Sequence, residues 1–395
     1  MLSIKAESIS PSPTLAIDSK FKEMKANGED VVGFGCGEPD FDTPVHIKNA
    51  AIKAINDGFT KYTPAAGTME LRKAVAKKFL TENSLSYEPS QIVISNGAKH
   101  SLLNAFMAIL NPGDEVIIPA PFWVSYPELV KLADGVPVTI NTYEANDFKA
   151  TAEDFKKALT PKTKAIVLNS PSNPTGMVYT KEELEKIADF AVNNNLYVIS
   201  DEIYEHLIYE GEHISIASFN DKIKDLTIVI NGVSKTFAMT GWRIGYAAAS
   251  PKIAKIMSNV QSHASSNPNS IAQAATVAAL EGGMETVQEM KAEFKKRRDH
   301  MVSVINSIDN VSCKMPNGAF YIMMNIEKLF GKALYNKTIN NADDFAELFL
   351  EKAKVAVVPG TGFGDTRYVR WSYATSMENI EAGLLRLKKF LNEEY

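Results

Sequence analysis

The sequence contains little cysteine, no long apolar run and no excess of positive charge. Its 395 residues include two cysteines, too few for a disulfide framework or a four-ligand zinc site. No apolar run approaches the ~18 residues that span a bilayer, and the N-terminus lacks a signal-peptide pattern. The 42 Lys and Arg against 47 Asp and Glu give a net charge of -5, which disfavours nucleic-acid and membrane partners. We therefore expect a cytoplasmic protein that binds small molecules and no metal.

What is present is the composition of a globular protein with alternating strands and helices. Hydrophobic residues make up 45% and charged residues 23% of the chain, which excludes disordered and collagen-like classes. From about residue 90, short β-branched runs alternate with amphipathic stretches, which predicts a mostly parallel sheet covered by helices. We predict strands at Gln91–Ser95, Asp114–Ile118, Lys164–Asn169, Leu196–Ser200, Leu226–Asn231 and Arg243–Ala249.

The pattern changes after Asn269, which indicates a second domain. A long helical stretch runs from there to about Asn306, followed by strand-like runs at Ala319–Asn325, Val355–Val358 and Tyr368–Tyr373. The basic run 295–298 within that helix is flanked by acidic residues, so we interpret it as a solvated face without function. The first ~45 residues are too few to fold alone and should pack on the C-terminal part or on another subunit.

Polar residues follow several of the predicted strands, at the sheet edge where α/β proteins bind ligands. The first strand leads into Asn96-Gly97-Ala98-Lys99, which begins a helix whose free N–H groups favour a phosphate. Asn173 lies in a Pro-rich loop after Lys164–Asn169, and Asp201 and Tyr204 follow Leu196–Ser200. Each feature alone also fits an ordinary turn or strand end.

The segment Ser234–Gly245 adds a lysine eight residues before an arginine, Lys235 and Arg243, after another strand. A lysine, a carboxylate, a phenol, an amide and a phosphate site at one sheet edge together suit pyridoxal phosphate. A lysine amine forms a Schiff base with its aldehyde, and a buried carboxylate keeps its pyridine nitrogen protonated. The phenol and the amide would hydrogen-bond its phenolic oxygen.

Five separated motifs resemble fold-type I class I/II aminotransferases, in particular the bacterial aspartate aminotransferase subgroup that includes prephenate-using members. The motifs are Gly37-Glu38-Pro39-Asp40, Tyr62-Thr63-Pro64, Asn173-Pro174-Thr175-Gly176, Asp201-Glu202-Ile203-Tyr204 and the Ser234–Gly245 segment. The resemblance implies an α/β fold with a mostly parallel seven-stranded sheet in a large domain and a smaller α/β domain. We place the large domain at 46–290 and the small domain at 1–45 and 291–395.

The resemblance also assigns roles to individual residues. Lys235 would be the Schiff-base lysine and proton shuttle, Asp201 the partner of the pyridine nitrogen, and Tyr204 and Asn173 the partners of the phenolic oxygen. The remaining cofactor contacts would come from Trp123, which stacks on the ring, and from Gly97, Ala98, Lys99, Ser234 and Arg243, with Tyr62 reaching across from a second subunit of a homodimer. Arg370 would clamp the substrate α-carboxylate, with Gly37, Trp123 and Asn173 beside it.

Substrate preference depends on Lys99. The segment 261–273, where animal aspartate enzymes carry an arginine for the distal carboxylate, has no arginine here, and Lys99 stands where the bacterial subgroup uses a lysine. This favours transfer of the amino group from L-aspartate to 2-oxoglutarate, with a prephenate, aromatic or neutral aminotransferase as the alternative. Gly232 replaces the serine that many members carry three residues before the lysine, and Cys36 is interpreted as a packing residue.

Two other classes of protein fit less well. A non-catalytic regulator on the same fold would need a DNA-binding module or would lack the lysine. A Rossmann dehydrogenase would need G-x-G-x-x-G in a complete βαβ unit, and Gly360-Thr361-Gly362-Phe363-Gly364 lacks that spacing and lies near the chain end.

Overall fold

The computed structural model describes residues 2–11 and 13–395. The α-helices in this part of the chain are α1 (Ile4–Glu7), α2 (Pro13–Ala26), α3 (Val45–Asn56), α4 (Met69–Asn83), α5 (Ala98–Ile109), α6 (Ser125–Leu132), α7 (Ala152–Ala158), α8 (Lys181–Asn193), α9 (Asp221–Leu226), α10 (Pro251–Ala264), α11 (Ser270–Glu281), α12 (Glu285–Ile305), α13 (Ala342–Ala353) and α14 (Met377–Leu391). The strands are β1 (Val32–Gly33), β2 (Ile92–Ser95), β3 (Glu115–Ala120), β4 (Val136–Asn141), β5 (Thr163–Asn169), β6 (Tyr197–Asp201), β7 (Thr227–Gly232), β8 (Gly245–Ala248), β9 (Ser312–Cys313), β10 (Tyr321–Asn325), β11 (Ala333–Leu334), β12 (Lys337–Thr338), β13 (Val355–Ala356), β14 (Val358–Pro359) and β15 (Tyr368–Ser372).

A seven-stranded sheet forms the centre of the molecule, in the order β2-β8-β7-β6-β5-β3-β4. Strand β8 is antiparallel to both of its neighbours, and the other pairings are parallel. The predicted mostly parallel sheet is confirmed. The carboxyl ends of β5, β6 and β7 therefore meet at one edge, where the residues that follow them come together.

Helices cover both faces of this sheet because its strands are apolar on both sides. Successive residues of β3 enter different cores: Val116 packs with Leu102 of α5, whereas Ile117 packs with Leu184 of α8. Such near-continuous apolar runs are typical of parallel strands buried on both faces. Helix α8 begins at the predicted capping box, in which Thr180 and Glu183 bond each other's backbone N–H groups.

A second, antiparallel sheet has the order β14-β15-β10-β9. The N-terminal segment packs beside it, because β1 pairs in parallel with β13 and the ring of Phe34 lies 4.6 Å from that of Trp371. The packing of the N-terminus on the C-terminal part is thus as expected. These residues share a core with α12, α13 and α14. The division into a large domain at 46–290 and a small domain at 1–45 and 291–395 stays a prediction.

Three secondary-structure predictions need correction. The long helix after Asn269 is two helices, α11 and α12, separated at Gly282-Gly283, where two residues of low helix propensity adjoin. The edge strand β4 was not predicted, because Pro137 interrupts its apolar run. The strand predicted from Arg243 begins at Gly245, since Arg243 has a φ of 58°, outside the β region.

The predicted solvated face at 295–298 is wrong for its two arginines. The side chain of Arg297 is 8% exposed and donates to Asp40 at 2.8 Å. The side chain of Arg298 is 2% exposed, donates to Glu210 at 2.8 Å and lies 4.7 Å from the Tyr209 ring. Each arginine also pairs with an acidic residue of the helix, Glu293 or Asp299. The partners that bury the two charges, Asp40, Glu210 and Tyr209, lie outside the helix, at positions that its sequence cannot reveal.

No helix among the described residues combines the length and the apolar character needed to cross a membrane.

Candidate active site

A cavity of about 370 Å³ lies beyond the carboxyl ends of β5, β6 and β7. Eleven of the thirteen residues predicted from the sequence line it: Gly37, Ala98, Lys99, Trp123, Asn173, Asp201, Tyr204, Ser234, Lys235, Arg243 and Arg370. Gly97 borders the cavity as the residue before Ala98 and as the N-cap of α5. Tyr62 is 91% exposed and, within the described chain, does not line it.

Lys235 lies at the centre of the cavity, three residues after the end of β7. Its Nζ donates a hydrogen bond to the carbonyl oxygen of Gly37. Burial, with a smaller contribution from Arg243 and Arg370, lowers the pKa of Lys235 to about 8, although Glu38 acts in the opposite direction. An amine with this pKa is partly neutral near pH 7, so it has a free electron pair for nucleophilic or base chemistry.

Asp201 is the last residue of β6, and its carboxylate is buried. Its Oδ2 accepts a hydrogen bond of 2.7 Å from the Tyr126 hydroxyl, and its Oδ1 accepts one of 3.3 Å from the Ile203 backbone N–H. Burial raises the pKa of Asp201 to about 6, and these hydrogen bonds limit the rise. The carboxylate is thus ionised at neutral pH in an apolar surrounding, where it stabilises a nearby cationic group.

Arg370, on β15, also lines the cavity. Its Nη1 donates to Asn173 Oδ1 and its Nη2 to the Gly35 carbonyl, each at 2.9 Å. The buried Nε has no hydrogen-bond partner among the described residues, which is unusual for a guanidinium. Because Asn173 accepts from Arg370 through its oxygen, its amide nitrogen remains as a donor. The hydroxyl of Tyr204 lies 2.9 Å from that of Tyr321.

A cradle for an anion lies at the N-terminus of α5. Gly97 has a φ of +86°, and a Cβ on it would lie 2.1 Å from Arg243 Nη2, so only glycine lets the arginine approach. The guanidinium donates to the carbonyls of Thr240 and Asn96 at 2.8 and 3.2 Å. No side chain caps α5 at Gly97, which leaves its first N–H groups for a ligand.

Lys99 and Trp123 form the adjoining wall. The Lys99 Nζ lies 4.9 Å from the centre of the Trp123 ring, within the range of a cation–π contact. Burial and the nearby Arg243 charge lower the pKa of Lys99. Both effects disfavour its cationic form. An anion placed beside Lys99 would stabilise that form and oppose both effects.

Sequence reasoning missed several residues that line the cavity. Tyr126, Tyr321 and Thr240 were not considered, and Glu38 was quoted only as part of a motif. Cys36, interpreted as a packing residue, lines the cavity instead, and its Sγ lies 3.5 Å from Glu38 Oε1. Tyr126 lies three residues after Trp123, near the start of α6, but an apolar ring at such a position reads as a core residue.

The chain is similar to known aminotransferases over nearly its whole length. The family model described as aminotransferase class I and II matches residues 29–387. An aspartate aminotransferase of Bacillus subtilis is 48% identical over 99% of both chains. A probable aspartate/prephenate aminotransferase of Rickettsia bellii is 47% identical over 98% of both chains.

The fold gives the same result. The crystal structure of an aspartate aminotransferase from Rhizobium meliloti superposes with a TM-score of 0.96 at 42% identity, covering 100% of this chain and 99% of the other. The resemblance inferred from the five motifs, including the fold-type I architecture, is confirmed. The chain belongs to the aminotransferase class I and II family and is an aminotransferase.

Proposed function

We propose that this aminotransferase uses pyridoxal phosphate to transfer the amino group of L-aspartate to 2-oxoglutarate. The observation that carries the proposal is one cavity that joins a lysine of lowered pKa, a buried carboxylate and an anion cradle. The relatives named aspartate aminotransferase support the donor. Prephenate is the alternative amino acceptor, because other relatives are named for both substrates.

The residues of the cavity fit the cofactor at each of its functional groups. The cradle of Gly97, Ala98 and Arg243, with Ser234 beside it, suits the phosphate. Asp201 suits a protonated pyridine nitrogen because a buried carboxylate needs a cationic partner. Trp123 offers an aromatic face, and Tyr204 and the Asn173 amide nitrogen offer donors for the phenolic oxygen.

When bound, pyridoxal phosphate supplies an aldehyde that carries the amino group and a ring that withdraws electrons from the substrate Cα. Lys235 would hold the aldehyde end of the cofactor through its amine. The same amine, released by the incoming amino group of the substrate, would take the proton from the substrate Cα and deliver it to the cofactor carbon that carried the aldehyde. Asp201 keeps the ring nitrogen protonated throughout, and the second half-reaction reverses these proton movements on a 2-oxo acid, which gives ping-pong kinetics.

Arg370 and Gly37 orient the substrate. The guanidinium of Arg370 is held in place by Asn173 and Gly35 and forms a bidentate pair with the α-carboxylate. The Gly37 carbonyl already accepts from Lys235, so this backbone lies beside the atom that moves the proton. The Cα of the substrate is thereby kept within reach of the lysine amine.

Lys99 binds the distal carboxylate of the substrate in this proposal. Its ammonium lies at the wall of the cavity with its charge disfavoured by burial and by Arg243. A second carboxylate on the substrate removes that penalty, whereas an aromatic or aliphatic side chain does not. Aspartate, glutamate and prephenate all carry such a group, so Lys99 distinguishes dicarboxylic from neutral substrates.

Replacing Lys99 by alanine should lower kcat/KM for aspartate by roughly 100-fold, because it removes one buried charge-assisted hydrogen bond to the substrate. The value for phenylalanine should fall by less than about threefold, because its side chain has no carboxylate to lose. The measurement is the conversion of each amino acid to its 2-oxo acid by the cofactor-loaded enzyme. Lys156→Ala, which removes an exposed pair with Glu153, is the matched control.

Two results would contradict this assignment. Equal losses for aspartate and phenylalanine would exclude Lys99 from substrate selection. If the wild-type enzyme forms no oxaloacetate from aspartate but converts an aromatic amino acid or transfers an amino group to prephenate, aspartate is not the donor. The assignment as an aminotransferase would still hold.

We also propose that the active unit is a homodimer in which Tyr62 of one subunit reaches the phosphate bound by the other. One face of α3 supports this, since Val45, Ile52 and Ile55 are 65%, 54% and 53% exposed while the opposite face packs on α11. Tyr62 is 91% exposed and follows the same helix. An exposed apolar face of this kind is typical of an interface.

Co-expression of Tyr62→Ala with Lys235→Ala tests the shared site. At limiting cofactor, Tyr62→Ala alone should be weakly active and Lys235→Ala alone inactive. The mixture should recover about a quarter of wild-type activity, because half of the dimers hold one intact site. Light scattering should give twice the chain mass. A monomer, or a mixture no more active than its parts, would refute the shared site.

A further inference from the structure

Tyr321 contacts both Arg370, the proposed ligand of the substrate carboxylate, and Tyr204, the proposed partner of the phenolic oxygen of the cofactor. It is the first residue of β10 and pairs with Ser372 of β15, so it is a diagonal neighbour of Arg370 on the same sheet face. Its ring centre lies 4.4 Å from the Arg370 guanidinium carbon, and its hydroxyl lies 2.9 Å from the Tyr204 hydroxyl.

We propose that Tyr321 is a positioning residue with two separable functions: its ring fixes the plane of Arg370, and its hydroxyl directs the Tyr204 proton towards the cofactor. The proposal rests on the proposed function, in which Arg370 binds the substrate carboxylate and Tyr204 the phenolic oxygen of the cofactor.

The hydroxyl function follows from the number of protons available. A tyrosine hydroxyl has one proton to donate and can accept further hydrogen bonds. When Tyr204 donates its one proton to the cofactor, the two tyrosine hydroxyls can form a hydrogen bond only if Tyr321 is the donor. A hydroxyl that accepts one hydrogen bond is a stronger donor in the next, since such chains polarise one another. Tyr321 therefore strengthens the hydrogen bond that Tyr204 makes.

The ring function follows from the surroundings of the guanidinium. Arg370 has two polar contacts, to Asn173 and to Gly35, and its buried Nε has none. The rings of Tyr321 and Phe363 lie 4.4 and 5.0 Å from its central carbon. Aromatic faces attract a desolvated cation and keep its plane in one orientation, which a bidentate pair with a carboxylate requires.

The hydroxyl of Tyr321 also lies against the backbone that faces the substrate. A Cβ placed on Gly37 would lie 3.0 Å from it, so a side chain at this position would crowd the Tyr321 hydroxyl. The titratable and charged groups around the two hydroxyls are Arg370, Asp201, Cys36 and Glu38. None of them is altered when the Tyr321 hydroxyl alone is removed.

Two variants separate the functions. Tyr321→Phe keeps the ring, so KM for aspartate should stay within about twofold while kcat falls about fivefold, the value of one ordinary hydrogen bond. Tyr321→Leu removes the ring as well, so KM should also rise about tenfold. If KM rises in Tyr321→Leu but not in Tyr321→Phe, the rise is caused by the loss of the ring.

The absorbance of the bound cofactor provides a readout other than activity. A hydrogen bond from Tyr204 favours the ionised form of the phenolic oxygen, and a weaker one favours it less. The midpoint of the pH-dependent absorbance change should therefore move to higher pH in Tyr321→Phe, by about 0.3 to 0.5 units. Tyr373→Phe is the matched control, since this buried hydroxyl donates to the Ala319 carbonyl at 3.2 Å and should leave midpoint and KM unchanged.

An unchanged midpoint and kcat in Tyr321→Phe would overturn the hydroxyl function, and an equal rise of KM in both variants would overturn the ring function. A shift of the same size in Tyr373→Phe would make the effect a general consequence of core changes and would also overturn the proposal. If the wild-type protein binds no pyridoxal phosphate, the proposed function fails and this proposal fails with it; if it does, only the role of Tyr321 is judged.

Discussion

Lys235→Ala is expected to lose at least about 10⁴-fold in kcat, because one side chain both holds the cofactor and moves the substrate proton. The Lys235 Nζ donates to the Gly37 carbonyl at the centre of the cavity, and its lowered pKa, about 8, makes it the amine ready to act near neutral pH. Borohydride reduction should attach the cofactor's mass to the wild-type chain and not to the variant.

Two further variants sharpen this test. Lys235→Arg keeps the positive charge but cannot give up a proton, because a guanidinium stays protonated in proteins, so it should be as inactive as the alanine variant. Lys156→Ala removes an exposed surface lysine and should keep both activity and mass labelling. Turnover by Lys235→Ala within about tenfold of wild type would refute the role of Lys235.

The sequence predicts the central sheet and most of the cavity for the same physical reason. Strands β5, β6 and β7 are continuous apolar runs, because both of their faces are buried. The polar residues that follow them must then meet at one edge. Asp201 and Lys235 could be placed in one site in this way without any knowledge of their contacts.

The residues that sequence reasoning missed reach the cavity from other elements. Tyr126 enters from α6, and Tyr321 enters from an antiparallel strand 117 residues away in sequence from Tyr204, its hydrogen-bond partner. Buried tyrosines on a helix or a strand read as core residues, since their rings are apolar. Only the three-dimensional contacts show that each hydroxyl faces a site residue.

Long-range pairing also explains why the prediction of a solvated face at 295–298 is wrong for its arginines. Arg297 was predicted to face solvent from its neighbours in sequence, yet its partner Asp40 is 257 residues away. The same contact connects α12 to the Gly37-Glu38-Pro39-Asp40 motif, and hence to the segment beside Lys235. A local charge pattern cannot distinguish a solvated arginine from one that holds a distant loop.

Asp201→Ala is expected to lower kcat on the order of 10²- to 10³-fold, because it removes the charge that stabilises the protonated pyridine nitrogen. Cofactor should still bind through the cradle of Gly97 and Arg243, only more weakly. Turnover within about tenfold of wild type would refute the role of Asp201. Because alanine also leaves a small void, Asp201→Asn, which keeps the shape without the charge, should give a similar loss.

Tyr126→Phe tests the same carboxylate through its pKa. In the cofactor-free protein, the pKa of Asp201 is about 6, raised by burial and held down by the Tyr126 hydrogen bond. The ionised form binds the cofactor, so affinity should fall as pH drops through about 6. Without the hydroxyl the pKa rises further, and the fall should begin at higher pH. Dividing the cofactor dissociation constant of Tyr126→Phe by that of the wild type at each pH cancels the titration of the free cofactor. A ratio that stays constant between pH 5 and 8 would show that Tyr126 does not control the ionisation of Asp201.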